Sequence, residues 1–315
     1  MKQFIAILLF SFLFNCEYSF AKISLKWGKT YYGGEIKVNR VNFLLPDGEW
    51  LLVGIDEWSV KGITYKGVTF VNTKENVFKE IVEFAVLNSY GQFITSIDDW
   101  MQGVFFAKDT SSDGCYEKPE YYLVKRKKRG SALNCFIIKH EDVSTEIFSP
   151  DFKLNGWIKS FNKSYIRKWA TDNNITIPKT MLTADHYFYA KSVGNHIATI
   201  SHSVNPELTG GPKTLYKDEV RSEYNKSNIE KFPKAKKYMQ DFIKEAVQDH
   251  ILFEKYVKSK EDFKLDFDDL LITGATVKKN DTEDIINQIK ELNNLLNDGI
   301  LTKDEFIKAK EKILN

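Results

Sequence analysis

The chain has 315 residues, of which 43% are apolar and 14% aromatic, with a formal net charge of +2. That composition argues for a packed globular body and against a disordered one, because it supplies ample apolar surface for a core. The near balance of 45 basic and 43 acidic residues gives no global electrostatic drive toward nucleic acid.

Residues 1–21 read as an export signal. Lys2 gives the positive start, residues 4–14 give an apolar stretch, and Ser19 and Ala21 occupy the −3 and −1 positions of a cleavage site, leaving Lys22 as the mature N-terminus. The stretch is too short to cross a hydrocarbon core, which needs about 20 apolar residues. Lipid attachment at Cys16 is the alternative, with Leu13 three residues upstream. No later segment is apolar enough to span a membrane, so a periplasmic or secreted protein is expected. Export also gives the cysteines a meaning. Cys16 leaves with the signal, and Cys115 and Cys135 remain as an even pair in an oxidising compartment. A disulfide is the economical reading, closing a loop of about 20 residues; a zinc site would need further ligands.

Residues 22–257 form the body. Short β-like runs come first: residues 36–45, a turn at Pro46-Asp47-Gly48, then residues 49–55 and 67–71. Residues 77–87 fit either a helical face or a buried strand, and the turn residues Asn88 to Gly91 favour sheet, with a return strand over 92–97. Residues 104–107 are a further strand candidate. Residues 121–124 and 133–138 read as strands around the basic run Lys125, Arg126, Lys127, Lys128 and Arg129, so a Cys115–Cys135 bridge would pin this hairpin. Ile158, Phe161, Tyr165, Ile166 and Trp169 recur at helical spacing, with Pro178 beyond the stop. A second hairpin is expected across 185–204, turning at Gly194-Asn195, followed by a long loop to about residue 231. Pro233 then opens the longest helical pattern, with Tyr238, Met239, Phe242, Ile243, Ala246, Val247 and Ile251 on one face. From 258 to 282 the chain reads as a polar tether, in which residues 267–272 are an edge-strand candidate.

Candidate sites are few. His186, His196 and His202 fall on one expected hairpin, so a three-imidazole metal site is conceivable beside the plainer reading of polar sheet histidines. The basic run suits an anionic lipid, polysaccharide or cell-wall surface, or simply a solvated hairpin tip, and carries no interleaved aromatics for base stacking. Carboxylates cluster at Asp98-Asp99 and at Asp266, Asp268 and Asp269. No Gly-x-Ser-x-Gly elbow, phosphate-binding loop or dinucleotide fingerprint is present, so no cofactor, nucleic-acid partner or reaction is implied.

The C-terminus is more specific. Ile285, Ile289, Leu292, Leu295 and Leu296 make one apolar stripe, Gly299 is a helix stop, Thr302 and Glu305 make a capping box, and Phe306, Ile307, Ala309, Ile313 and Leu314 make a second stripe. With Leu295-Leu296, Gly299-Ile300-Leu301-Thr302, Glu305-Phe306, Lys310 and Ile313-Leu314, residues 283–314 resemble a SHOCT (short C-terminal) domain, found at the ends of many unrelated bacterial and phage proteins. Lys303 and Asp304 depart from the two glutamates common there. The resemblance implies self-association or docking to another exported protein, not catalysis. The body resembles exported proteobacterial proteins of unknown function only loosely, and no residue role carries over. The expectation is therefore an α+β protein, mainly antiparallel sheet with a few helices, plus a C-terminal two-helix hairpin. Its function is expected to be binding or interaction, with a secreted hydrolase acting on envelope polymers as the alternative.

Overall fold

A computed structural model describes residues 25–39, 41–60, 63–87, 115, 117–129, 132–143, 164–190, 196–215 and 218–267, with scattered positions from 291 to 312. They form an α+β fold on one antiparallel sheet of eight strands: β1 (Thr30–Val38), β2 (Val41–Val60), β3 (Ile63–Lys74), β4 (Val77–Leu87), β5 (Leu123–Arg129), β6 (Ala132–Glu141), β7 (Met181–Ala190) and β8 (His196–Val204). The order across the sheet is β1-β2-β3-β4-β8-β7-β6-β5, so two four-stranded meanders meet where β4 pairs with β8. Helix α1 (Ser164–Asp172) and helix α2 (Pro233–Tyr256) lie on opposite faces.

The strand periodicity of two explains this sandwiching. Phe70, Val82 and Phe84 share one core with Phe253 of α2, whereas their neighbours Val71 and Ile81 pack with Ile166 and Ala170 of α1. A sheet covered on both faces makes near-continuous apolar runs, which is why residues 77–87 show no clean alternation in sequence. They form β4, opposite β3 and β8.

The first hairpin departs from the expected turn. The chain reverses after Val38, with Asn39 at φ 55°, and β2 runs through Pro46-Asp47-Gly48 without turning. Tyr32 pairs with Glu49 and Gly34 with Leu45, so Gly33 alone opposes those three residues as a bulge. Gly33 sits at φ 29°, and a Cβ there would lie 3.1 Å from the Pro46 carbonyl oxygen. The Trp50 indole donates to that same carbonyl at 2.7 Å. Proline and glycine mark an irregularity here, and a bulge satisfies it as well as a turn does.

The basic run is also placed differently. Lys125 to Arg129 form most of β5, paired with residues 132–136 of β6, and do not form a hairpin tip. Among the described residues β5 is a sheet edge, where lysine-rich strands resist pairing with other chains.

α2 begins at Pro233, whose missing N–H is not needed in the first turn. It ends in a Schellman motif: Lys258, at φ 57°, donates to Lys255 and Ser259 donates to Glu254 at 2.9 Å. This reversal carries residues 259–267 back over the body, where Phe263 is buried and Leu265 and Phe267 pack on the sheet–helix core. The body thus extends through Phe267, beyond residue 257. Residues 88–114 and 268–290, which contain the expected strands 92–97, 104–107 and 267–272 in whole or in part, fall outside the described residues, as do 144–163 and the 191–195 turn. No described helix is long and apolar enough to cross a membrane.

Candidate functional site

Three buried polar assemblies interrupt the apolar layer beneath α2 and the loop before it. The first lies at the seam of the two meanders, where Val82 of β4 faces His202 of β8. His202 Nε2 is 3.2 Å from Glu80 Oε2, and Lys79 pairs with the other Glu80 oxygen at 2.8 Å. Trp50 stands edge-on to the imidazole at 6.1 Å. Burial alone would lower the His202 pKa, but the hydrogen bond and charge of Glu80, joined by Asp249 and Glu245 of α2, raise it overall. Burial would raise Glu80, yet the contacts with His202 and Lys79 hold it below the usual carboxylate range. Asp249 is pushed up to about 6 by burial, an effect that His202 partly opposes and Glu245 adds to.

The second assembly crosses from β6 and β7 into α2. Asn134 donates both amide hydrogens, to Glu254 Oε1 at 2.6 Å and to the Phe263 carbonyl at 3.0 Å. Its oxygen therefore accepts from His250 Nε2 at 3.1 Å. The His250 and His186 rings are within 15° of parallel with centres 5.3 Å apart, and their Nδ1 atoms meet edge to edge at 3.1 Å. Leu265 N–H completes the network by donating to Glu254 at 2.7 Å. Burial lowers the pKa of both imidazoles, with His250 and His202 adding to the effect on His186 and Glu254 opposing it on His250.

The third pairs His140 Nε2 with Ser222 Oγ at 3.4 Å. Ser222 Oγ also accepts from the Tyr224 N–H, and His140 Nδ1 is buried without a hydrogen-bond partner. Burial lowers His140 to about 4.

Between the first two assemblies, Phe43, Val82, His186, His202, Asp249 and Tyr256 are among the residues lining a cavity of about 30 Å³. That holds a water molecule or two, whereas ligand pockets measure several hundred Å³. The arrangement can hold or pass protons but has no room for a polymer at that point.

Of the sequence candidates, His186 and His202 share a sheet face, offset by two residues in register, but each is committed to a different partner. His196 opens β8 opposite Ala190. Among the described residues no three His, Cys, Asp or Glu groups are arranged to hold a metal. Cys115 and Cys135 are bonded to each other with Cα atoms 6.1 Å apart, on the face away from α2, beside Ile137, Val124 and Tyr187. Lys127 Nζ reaches the Lys264 carbonyl at 2.9 Å, so the basic edge strand also holds the segment that follows α2. At the C-terminus Thr302 N–H donates to Glu305 at 2.9 Å and Glu305 N–H to Thr302 Oγ1 at 3.3 Å, a reciprocal cap. The backbone is helical at 291–292, 295–296, 305–306 and 308–309, Leu301 N–H bonds the Leu295 carbonyl, and Phe306 is buried. Gly299, Ile289 and Ile313, like Asp98, Asp99, Asp268, Asp269 and the signal residues Ala21 and Lys22, lie outside the described residues; Leu292 and Leu296 are half-buried.

No motif or periodicity in the sequence singles out Asn134, His250, Glu254 or Glu80 as site residues. His250 and Glu254 were legible in one respect: they continue the buried face of α2 at i+4 spacing after Ala246. Compared with known proteins, the chain matches no family model and no curated protein.

Proposed function

We propose that this is an exported binding protein, whose disulfide-braced sheet is held at its place of work by a SHOCT-like C-terminal hairpin acting through self-association or docking. The observation that carries the reading is the Thr302–Glu305 cap, with the Leu301 N–H bonded to the Leu295 carbonyl beside it. A reciprocal cap at a second helix start is what a two-helix hairpin needs, and so small a hairpin requires a partner surface to be stable. The Cys115–Cys135 bond supports an oxidising address, periplasmic or secreted. Basic edge strand β5 offers an anionic surface as a further partner, and its contribution would fall steeply with salt.

The test is the solution mass of the protein starting at Lys22, with and without residues 282–315. Loss of association on truncation is expected. If both forms are monomeric at micromolar concentration and neither captures an exported partner, the reading fails.

One contact favours a secreted hydrolase as the second reading: the Ser222–His140 pair at 3.4 Å. Ser222 is fully buried, so a nucleophilic role requires the 206–232 loop to open. Labelling of Ser222 by a fluorophosphonate, absent in Ser222→Ala, would support this reading, and no labelling in the intact protein would sink it.

A further inference from the structure

We propose that the His186–His250 contact is an acid-released latch that holds α2 on the sheet and opens when both imidazoles carry protons. The hydrogen-bond directions are fixed from one end. Asn134 spends both N–H groups on Glu254 and the Phe263 carbonyl, so its oxygen must accept, and His250 must carry its proton on Nε2. A neutral His250 then presents a lone pair at Nδ1. His186 Nδ1, 3.1 Å away, must be the donor. One further proton can be accommodated, on His186 Nε2, because the N–H···N bond survives. A second cannot: two Nδ1–H groups would face each other at 3.1 Å between two cations whose ring centres are 5.3 Å apart.

The surroundings offset that charge only in part. From α2, Glu254 lies 3.5 Å from His250 Nε2 and favours one cation there, while also accepting from Asn134 and Leu265. Asp249 and Glu245 of α2 face His202, and Asp249 loses its charge near pH 6. Glu80 of β4 is taken by His202 and Lys79. His202 of β8 is itself the cation favoured by those carboxylates and repels a charged His186. From β6 and the segment after α2 the rings of Phe136 and Phe267 complete the enclosure, and both are uncharged. From β5, Lys125 and Lys127 stand opposite Phe136 and Asn134 and add only positive charge. As pH falls below the ordinary histidine value of about 6.5, the sealed pair stays neutral where exposed imidazoles would bind protons, so proton uptake favours the form in which α2 is lifted. Relief comes from lifting the helix and the Glu261–Phe263 turn that caps it.

Hydrogen exchange on the full chain tests this. Opening linked to uptake of one proton rises about tenfold per pH unit, so protection of the amides of residues 233–256 should fall at least that steeply as pH drops below 6. Those of β4 and β8 should hold over the same range. In His186→Gln the amide can still donate to His250 Nδ1 but cannot ionise, and the acid midpoint should move down by about one pH unit. Should that variant not fold, ring-nitrogen NMR of the wild-type histidines decides alone. His186 protonated on Nδ1 and His250 on Nε2 at neutral pH, both becoming doubly protonated only as α2 loses protection, supports the latch. An unchanged midpoint in His186→Gln, helix and strands losing protection together, or both rings fully protonated while α2 stays protected would each overturn it.

Discussion

The two meanders of the sheet meet the same helix by different means. β1 to β4 offer Phe43, Leu52, Val68, Phe70, Val82 and Phe84 to the C-terminal end of α2, an almost wholly apolar contact. β5 to β8 contribute apolar residues too, but they also place Asn134, His140, His186 and His202 on that face. An apolar contact is non-directional and tolerates small shifts of the helix. A hydrogen-bonded network tolerates none without leaving buried groups unpaired, so it fixes the position of α2 along the sheet. The first half supplies cohesion and the second supplies registration, and registration is the part that pH can reach.

The largest effect should come from breaking the apolar half. Phe84 is fully buried, with Phe43 at 4.7 Å and Phe70 at 6.0 Å between ring centres. Phe84→Ala should destabilise by about 3–5 kcal/mol, read as a lower urea midpoint with little change in slope. A loss under about 1 kcal/mol would mean the site collapses freely, and the two halves would then differ less than the packing implies.

The polar half should respond less in stability and more in specificity. Asn134→Leu removes the groups that pair with His250 Nε2, one bond to Glu254 and one to the Phe263 carbonyl. Leaving buried groups unpaired costs about 1–3 kcal/mol each, partly offset by the added apolar volume. The expected sign is destabilising, with exchange in residues 250–265 rising before that in β7. An equal rise throughout would deny the network a local role.

The two halves also differ in how far the sequence discloses them. The apolar half announces its strands through Val, Phe and Trp content, and only the hairpin position was misplaced, because Pro46-Asp47-Gly48 marks a bulge as plainly as a turn. α2 was legible from Pro233 onward for the same reason. The network was not legible. Asn134, His186 and His250 are separated by tens of residues and brought together only by strand register and the helix crossing, neither of which hydrophobic periodicity encodes. The basic run misled for a related reason: an edge strand has one unpaired flank, so charge alone does not distinguish it from a solvated tip. Cys115 and Cys135 were easier, since the two cysteines expected to remain after signal removal leave one pairing.

The smallest effect is expected at the seam, where Glu80 of the first half meets His202 of the second. The raised His202 pKa contributes stability that is fully present below the unfolded value of about 6.5 and is lost as pH rises through the folded one. The lowered Glu80 pKa contributes stability present above about 4.5 and lost as pH falls through its folded value. Asp249 works against charge: its value of about 6 means that its folded form loses stability as pH climbs from the ordinary aspartate range toward 6. The pair is therefore strongest between about 4.5 and 6.5, and His202→Gln should flatten the upper side of the stability–pH curve while leaving Phe84→Ala equally costly at every pH. Measured by urea midpoints from pH 5 to 8, an unchanged upper slope in His202→Gln would place the titrating group elsewhere. It would also leave the seam as plain packing, continuous with the apolar half.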